Sequence, residues 1–200
     1  DQMGRPVQKG GGGLGDVDRI DTSGLDPRIG QAEILVACDV SNPLTGPEGA
    51  SRIYGPQKGA DAQMADRLDS NLRYFAGKML ETLGTEVETI PGAGAAGGLG
   101  AGLIAFLDGK LEKGFDLIAG MLDLEKKISK ADLVITGEGK IDRQTRFGKT
   151  PMGVARLAAR HLKPVIAATG NMGTGADLLY REGITAIFPI INGPMTLDEA

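Results

Sequence analysis

Residues 131–149 read ADLVITGEGKIDRQTRFGK. Ala131 and the run Leu133, Val134, Ile135 predict a buried strand, and the glycines at 137 and 139 predict that it breaks into a turn carrying Glu138 and then Asp142. Acidic groups therefore stand where a strand ends. In open α/β sheets ligands bind outside the carboxyl ends of the strands, so this turn is the first place to look for chemistry. A second polar run, Asp39 to Lys58, follows another apolar strand in the same way.

Outward from that stretch, strand and helix signals alternate. Strands are predicted at Glu33–Cys38, Glu86–Ile90, Asp132–Thr136, Pro164–Ala168 and Thr185–Phe188. Parallel strands need a crossover to reach one another, so the alternation predicts an α/β fold. Met64, Leu68, Leu72, Phe75, Met79 and Leu83 recur at spacings of four and three, which predicts one long helix from Asp61, its N-cap, to Leu83. Thr150 as cap and Pro151 in the first turn predict a second helix to Leu162. His161, at its end, reads as a surface cation favoured by the helix dipole. Residues 97–129 read as two or three helices with breaks near Gly109 and Gly120. The helical run gives way to strand, turn and helix near Lys130, so a division into 1–130 and 131–200 is expected.

The 200 residues are 41% hydrophobic and 24% charged, which predicts a globular chain with a core. A net charge of −4 gives no basic footprint for nucleic acid. No apolar run approaches the roughly 18 residues of a membrane span, and no signal-peptide pattern is present, so a soluble cytoplasmic protein without a membrane partner is expected. The single cysteine, Cys38, sits in an apolar run and reads as a small packed side chain. Asp1 opens the chain in place of Met, and a piece of a longer protein is expected. Glycine is the outlier at 32 residues, clustered beside strand and helix signals rather than spread as a linker.

Three segments could carry chemistry. PGAGAAGGLGAG, residues 91–102, contains a G-x-G-x-x-G at Gly92, Gly94 and Gly97. A dinucleotide site would need a strand before it and an acid at the end of the next strand; Pro91 interrupts the first, and Asp116 lies in a helical pattern. Another anion at the helix N-terminus, or close helix packing, fits better. No P-loop motif is present. Gly55-Pro56-Gln57-Lys58-Gly59 presents Lys58 just before the long helix, where a phosphate or carboxylate could be held. Asp39, Glu138 and Asp142 are carboxylates at strand ends which, with a phosphate, could hold a magnesium ion, and Thr145, Lys149 and Thr150 lead into a helix N-terminus suited to phosphate oxygens. The plainer alternative is that Asp39 and Asp142 satisfy turn donors and Lys149 is solvated.

Taken together, VACDVSNPLTGPEGASRIYGPQKGA (36–60), PGAGAAGGLGAG (91–102) and LVITGEGKIDRQTRFGKTPMGVA (133–155) closely resemble the glycerate kinase family of the bacterial glycerate 2-kinase type. The resemblance runs from GGGGLG and IDTSGLDPR near the start to TLDEA at the end. It implies ATP-dependent phosphorylation of D-glycerate to 2-phosphoglycerate with Mg2+. It also implies a two-domain architecture: a middle α/β domain over 1–130, and part of a flavodoxin-like parallel-sheet domain from 131 onward, with the site in the cleft between domains.

The residues carried over are Asp39, Lys58 and Asp142 as catalytic; Asn42, Gln57, Gly94, Gly97, Gly98, Gly137, Gly139, Thr145 and Lys149 as binding substrate or nucleotide; and Glu138 with Asp142 as metal ligands. Glycerate and ATP are the implied partners, and a homodimer is left open. Family stretches of the type APDSFKGSLSA, PVADGGEGT and GGSATNDGG are missing, so the gene product is expected to be a kinase and this chain an inactive fragment. The rival readings are a non-catalytic fragment that binds nucleotide or glycerate, and a nicotinamide-dependent oxidoreductase using Gly92–Gly97.

Overall fold

A computed structural model describes residues 1–143, 145 and 149–191. The chain divides into two compact units, Asp1–Gly114 and Phe115–Ala200. The division expected near Lys130, from the change of element pattern there and from the family's domain order, stays a proposal.

In the first unit, strands β1 (Leu35–Ala37) and β2 (Lys110–Glu112) pair in parallel, with Val36 opposite Leu111. Between them lie α1 (Ala50–Tyr54), α2 (Ala62–Leu83) and α3 (Leu99–Leu107). The α2 helix starts where predicted: Asp61 accepts a hydrogen bond from the Met64 amide at 2.7 Å, and Gly84 closes the other end at φ 71°. Leu72, Ala76 and Met79 of α2 pack with Leu44, Ala50, Val87, Ala93 and Ala101 into the core of this unit.

Two expectations in this unit are corrected. Residues 86–90 form no strand, although Val87 is fully buried. The Glu86 carboxylate takes the Glu88 amide at 2.6 Å and the Thr89 hydroxyl at 3.2 Å, a local alternative to ladder bonding. Residues 97–129 are not purely helical either, because β2 interrupts them. The α3 helix ends as Asp108 turns left-handed at φ 52°, and Lys110–Glu112, with neither β-branched nor aromatic residues, is strand only because β1 supplies its ladder.

The second unit holds a parallel sheet in the order β3 (Val134–Ile141), β4 (Val165–Met172), β5 (Ala186–Pro189), with α4 (Gly114–Met121, its first residue closing the other unit), α5 (Leu124–Lys130) and α6 (Thr150–Arg160). Val165, Ala167 and Ile187 face Met152, Ala155, Ala158 and Leu179 in one core. The helix predicted from Pro151 begins one residue earlier, with Lys149 in the cap position.

The strand expected to end at Thr136 runs on to Ile141. Glu138 therefore stands in the strand opposite Thr169 rather than in a turn. Gly137 and Gly139 were misleading because parallel pairing with β4 supplies the order that their own propensity does not. Nor is the sheet buried on both sides: Ile135 of β3 is 70% exposed, and Phe188 of β5 is also exposed. Among the described residues no helix is long and apolar enough to cross a membrane.

Candidate functional site

The predicted residues of the first unit gather around the segment between β1 and α1. Asn42 is its centre. Its side-chain oxygen accepts from the Tyr54 hydroxyl at 2.7 Å, and its side-chain nitrogen donates to the Glu48 carbonyl at 2.8 Å. Its backbone carbonyl receives the amides of Gly92 and Gly94, at 3.1 and 3.0 Å. Asn42 thus ties the CDVSNP motif to the glycine-rich segment, with both ends of its side-chain amide and its backbone carbonyl engaged inside the protein.

The same bonds decide how the glycines are used. Two of the amides that a dinucleotide pyrophosphate would need are already spent on Asn42, and no strand precedes Gly92. A Cβ on Gly94 would meet the Pro43 carbonyl oxygen at 2.2 Å, and one on Gly98 would meet Leu44 at 3.0 Å. These glycines permit close packing. Gly97 differs: it shares a cavity of about 260 Å³ with Lys58, Ser51, Tyr54, Leu68 and Leu72. The GPQKG and glycine-rich motifs, nearly forty residues apart in the chain, therefore reach one cavity (Gly97 and Lys58: 97 − 58 = 39).

Lys58 is exposed at the end of a short helical turn, Pro56–Lys58, beside exposed Gln57. Asp39, just past β1, is exposed and accepts the Gly114 amide at 2.9 Å. That bond is the turn-satisfying role that the sequence left open for it, and it holds the carboxylate in one orientation. Cys38 packs against Gly92, as its apolar setting predicted.

In the second unit Asp142 stands at the carboxyl end of β3, its carboxylate largely enclosed and 3.4 Å from the Lys140 ammonium. Its amide donates to the Thr145 hydroxyl at 3.1 Å, and its carbonyl accepts the Thr145 amide at 3.0 Å. Thr145 is fully buried and closes this turn, so it does not present its oxygen to solvent as the phosphate reading required. Lys149 is exposed at the N-cap of α6 and makes no side-chain cap bond. Gly137 and Gly139 belong to β3, and the Gly139 carbonyl lies against Gly170 of β4. Gln144, Arg146, Phe147 and Gly148 of the same motif lie outside the described residues.

The structure does not bring Glu138 and Asp142 together as a metal pair. Glu138 lies within β3 and Asp142 just past its end, so four residues of extended backbone set their α-carbons about 13 Å apart, whereas two ligands of one magnesium ion each place an oxygen about 2 Å from it. Among the described residues no group of three His, Cys, Asp or Glu side chains converges as a metal set. A single carboxylate at Asp142 is compatible with magnesium, which commonly takes one or two carboxylates together with substrate phosphates and water.

One cluster had no expectation attached to it. Asp69, in mid-α2 and 2% exposed, accepts from the Gly46 amide at 2.9 Å and from Arg73 at 3.2 Å. Arg73 also donates to Glu88 at 2.9 Å, and the Thr45 hydroxyl donates to Glu88 at 2.6 Å. The Thr45 hydroxyl and the Arg73 guanidinium hold the Glu88 carboxyl below its ordinary value, and Glu88 in turn raises Arg73. The available signal was position: Asp69 keeps the helical spacing of Ala65, Leu72 and Ala76, although a carboxylate by residue type reads as surface.

These motifs, in this order, are those of a known family. The model of the glycerate kinase family matches residues 1–200. A glycerate kinase of Halalkalibacterium halodurans is 52% identical over 199 residues, and the glycerate 2-kinase of Escherichia coli K12 is 47% identical over 200. In each case the match covers 100% of this chain and 52% of the relative. A crystal structure described as glycerate kinase 2 from Salmonella typhimurium LT2 superposes with a TM-score of 0.86 at 46% identity, over 100% of this chain and 52% of that one. The chain thus spans about half the length of the relatives it matches. Its fold is the α/β fold of that crystal structure, and with the family model matched from end to end, the chain belongs to the glycerate kinase family.

Proposed function

We propose that the protein to which this chain belongs phosphorylates D-glycerate at the 2-hydroxyl with ATP, giving 2-phosphoglycerate and ADP, in the cytoplasm. Family membership supports a kinase. The observation that carries the reading onto these residues is the single cavity shared by Lys58 and Gly97, which joins two of the family's motifs around one cation. Glycerate is a small hydroxy acid with one carboxylate, and Lys58 supplies a cation for it at this otherwise largely apolar cavity.

In this reading Lys58 takes the glycerate carboxylate, while Lys149 and the N-terminus of α6 take phosphate oxygens. The 2-hydroxyl oxygen forms a bond to the γ-phosphorus as the bond to the β–γ bridging oxygen breaks and ADP departs with that electron pair. Asp39, held in place by the Gly114 amide, accepts the hydroxyl proton late in the transfer. Asp142 is the carboxylate for magnesium, which when bound offsets the charge developing on the phosphate oxygens. The remaining task of these side chains is positioning and electrostatic stabilisation. About half the length of the relatives lies outside this chain, so turnover is assigned to the longer polypeptide and ligand binding to the residues named here.

Calorimetric titration of D-glycerate into the chain tests the acceptor half. Binding that is lost in Lys58→Ala and retained in Lys9→Ala supports the reading. Equal binding by both variants removes Lys58 from the site.

A further inference from the structure

Three consecutive residues of the segment between β1 and α1 are each held by the same small group of residues, two through side chains and one through the Glu88 backbone. The Leu44 amide donates to the Glu88 carbonyl at 3.0 Å, the Thr45 hydroxyl to the Glu88 carboxylate at 2.6 Å, and the Gly46 amide to the Asp69 carboxylate at 2.9 Å. Arg73 lies between the two acids, 3.2 Å from Asp69 and 2.9 Å from Glu88. Gly46 adopts φ 94°, a conformation open to glycine, and this directs its amide at Asp69.

Packing does not explain these residues. Asp69 shares a helix face with Ala65, Leu72 and Ala76, all buried, where an apolar side chain would cost nothing in desolvation. An enclosed carboxylate is destabilising unless it is paired, and well-packed apolar replacements for buried ion pairs are often neutral or stabilising. What the carboxylate provides and a leucine could not is an acceptor for a backbone amide at one fixed point. The arginine offsets its charge and carries the constraint across to Glu88.

The held turn is continuous with the candidate site. Asn42 lies two residues before Leu44, bonds the Glu48 carbonyl beyond the turn, and receives the hydroxyl of Tyr54, which lines the Lys58 cavity. We propose that Arg73, with Asp69 and Glu88, acts as a positioning residue that locks the Leu44–Gly46 turn and through it sets Asn42 and Tyr54 at the Lys58 cavity. The nature of the ligand, D-glycerate, rests on the function proposed above; the lock itself does not.

The test is amide hydrogen exchange together with D-glycerate titration on the 200-residue chain and three variants. Arg73→Met removes the bridge, Glu88→Gln keeps an acceptor for Thr45 while removing the charge, and Arg73→Lys restores a cation. The expected result is faster exchange at Leu44 and Gly46 by about tenfold or more in Arg73→Met and Glu88→Gln, with the buried Ala101 amide unchanged as a reference for global opening. D-Glycerate affinity should fall about tenfold in the same two variants and recover in part in Arg73→Lys.

Should Arg73→Met not fold, the half-exposed Glu88 variant carries the test. Unchanged exchange at Leu44 and Gly46, or equal acceleration at Ala101, would overturn the lock. Faster exchange with unaltered glycerate affinity would overturn the positioning role. A parent chain that takes up no glycerate would overturn the ligand assignment, and the exchange pattern would then decide the lock alone.

Discussion

Gly94 donates its amide to the Asn42 carbonyl at 3.0 Å, and a methyl group on its α-carbon would stand 2.2 Å from the Pro43 carbonyl oxygen. The glycine-rich segment and the CDVSNP motif approach so closely that backbone meets backbone, where no rotamer change can relieve a clash. Gly94→Ala should therefore cost about 1–3 kcal/mol of stability, as overpacking does in a filled core. Gly102, inside α3, has nothing within 4 Å of its Cβ position, and Gly102→Ala should gain about 0.5–1 kcal/mol from the helix backbone. Urea unfolding of the two variants checks the opposite signs; a shared sign would refute the packing account.

Acid should loosen the first unit through Glu88. Its carboxyl is held below the ordinary value of 4.5, first by the Thr45 hydroxyl and then by Arg73. A carboxyl whose folded value is depressed stabilises the fold above its unfolded value, and that contribution fades as pH falls through the folded one. The stability difference between the parent chain and Glu88→Gln should be full above about pH 5 and should shrink steadily below pH 4.5. Denaturation curves collected from pH 6 to pH 3 give that difference directly, and a pH-independent gap would show that the ionised carboxylate is not what matters.

The open face of the sheet in the second unit predicts a surface effect without a stability effect. Ile135 and Phe188 are 70% and 57% exposed, on a parallel sheet of the kind normally covered on both faces. Replacing both by Thr should change unfolding free energy by no more than about 0.5 kcal/mol while lowering the binding of a hydrophobic dye. A large loss of stability would mean that these side chains are buried in solution.

Asp142 and Glu138 should separate in function. In the polypeptide at the length of its relatives, Asp142→Asn should reduce turnover about 100-fold or more if the carboxylate serves the phosphates, whereas Glu138→Gln, four residues back in β3, should reduce it far less. Steady-state kinetics on both variants decides this, and equal losses would restore the paired-ligand reading.

What the sequence made legible follows from where each signal lies. The α2 helix was readable because six apolar residues keep its period over 22 residues and Asp61 caps it, and α6 because Pro151 marks its first turn. The end of β3 was misread because Gly137 and Gly139 are turn residues by propensity, while their strand conformation comes from β4, some thirty residues later (168 − 137 = 31). Strand β2 has no local signal at all; its three residues are extended because β1 lies beside them.

Among the candidate site residues, motif order singled out Asn42, Lys58 and the glycines, and it is the fold that brings Lys58 and Gly97 to one cavity. The Asp69–Arg73–Glu88 group was invisible because its members belong to no motif. Only the fold turns Asp69 inward and carries Glu88 to Arg73, so that an ordinary charged helix face becomes a lock on the 44–46 turn.

The most direct measurement is glycerate-dependent ADP formation by the polypeptide carrying this chain at the length of its relatives, with the product passed straight to enolase and no mutase present. The account predicts ADP release that requires D-glycerate and a product that enolase consumes at once. ADP release without glycerate dependence, or a product that enolase leaves untouched, would contradict it.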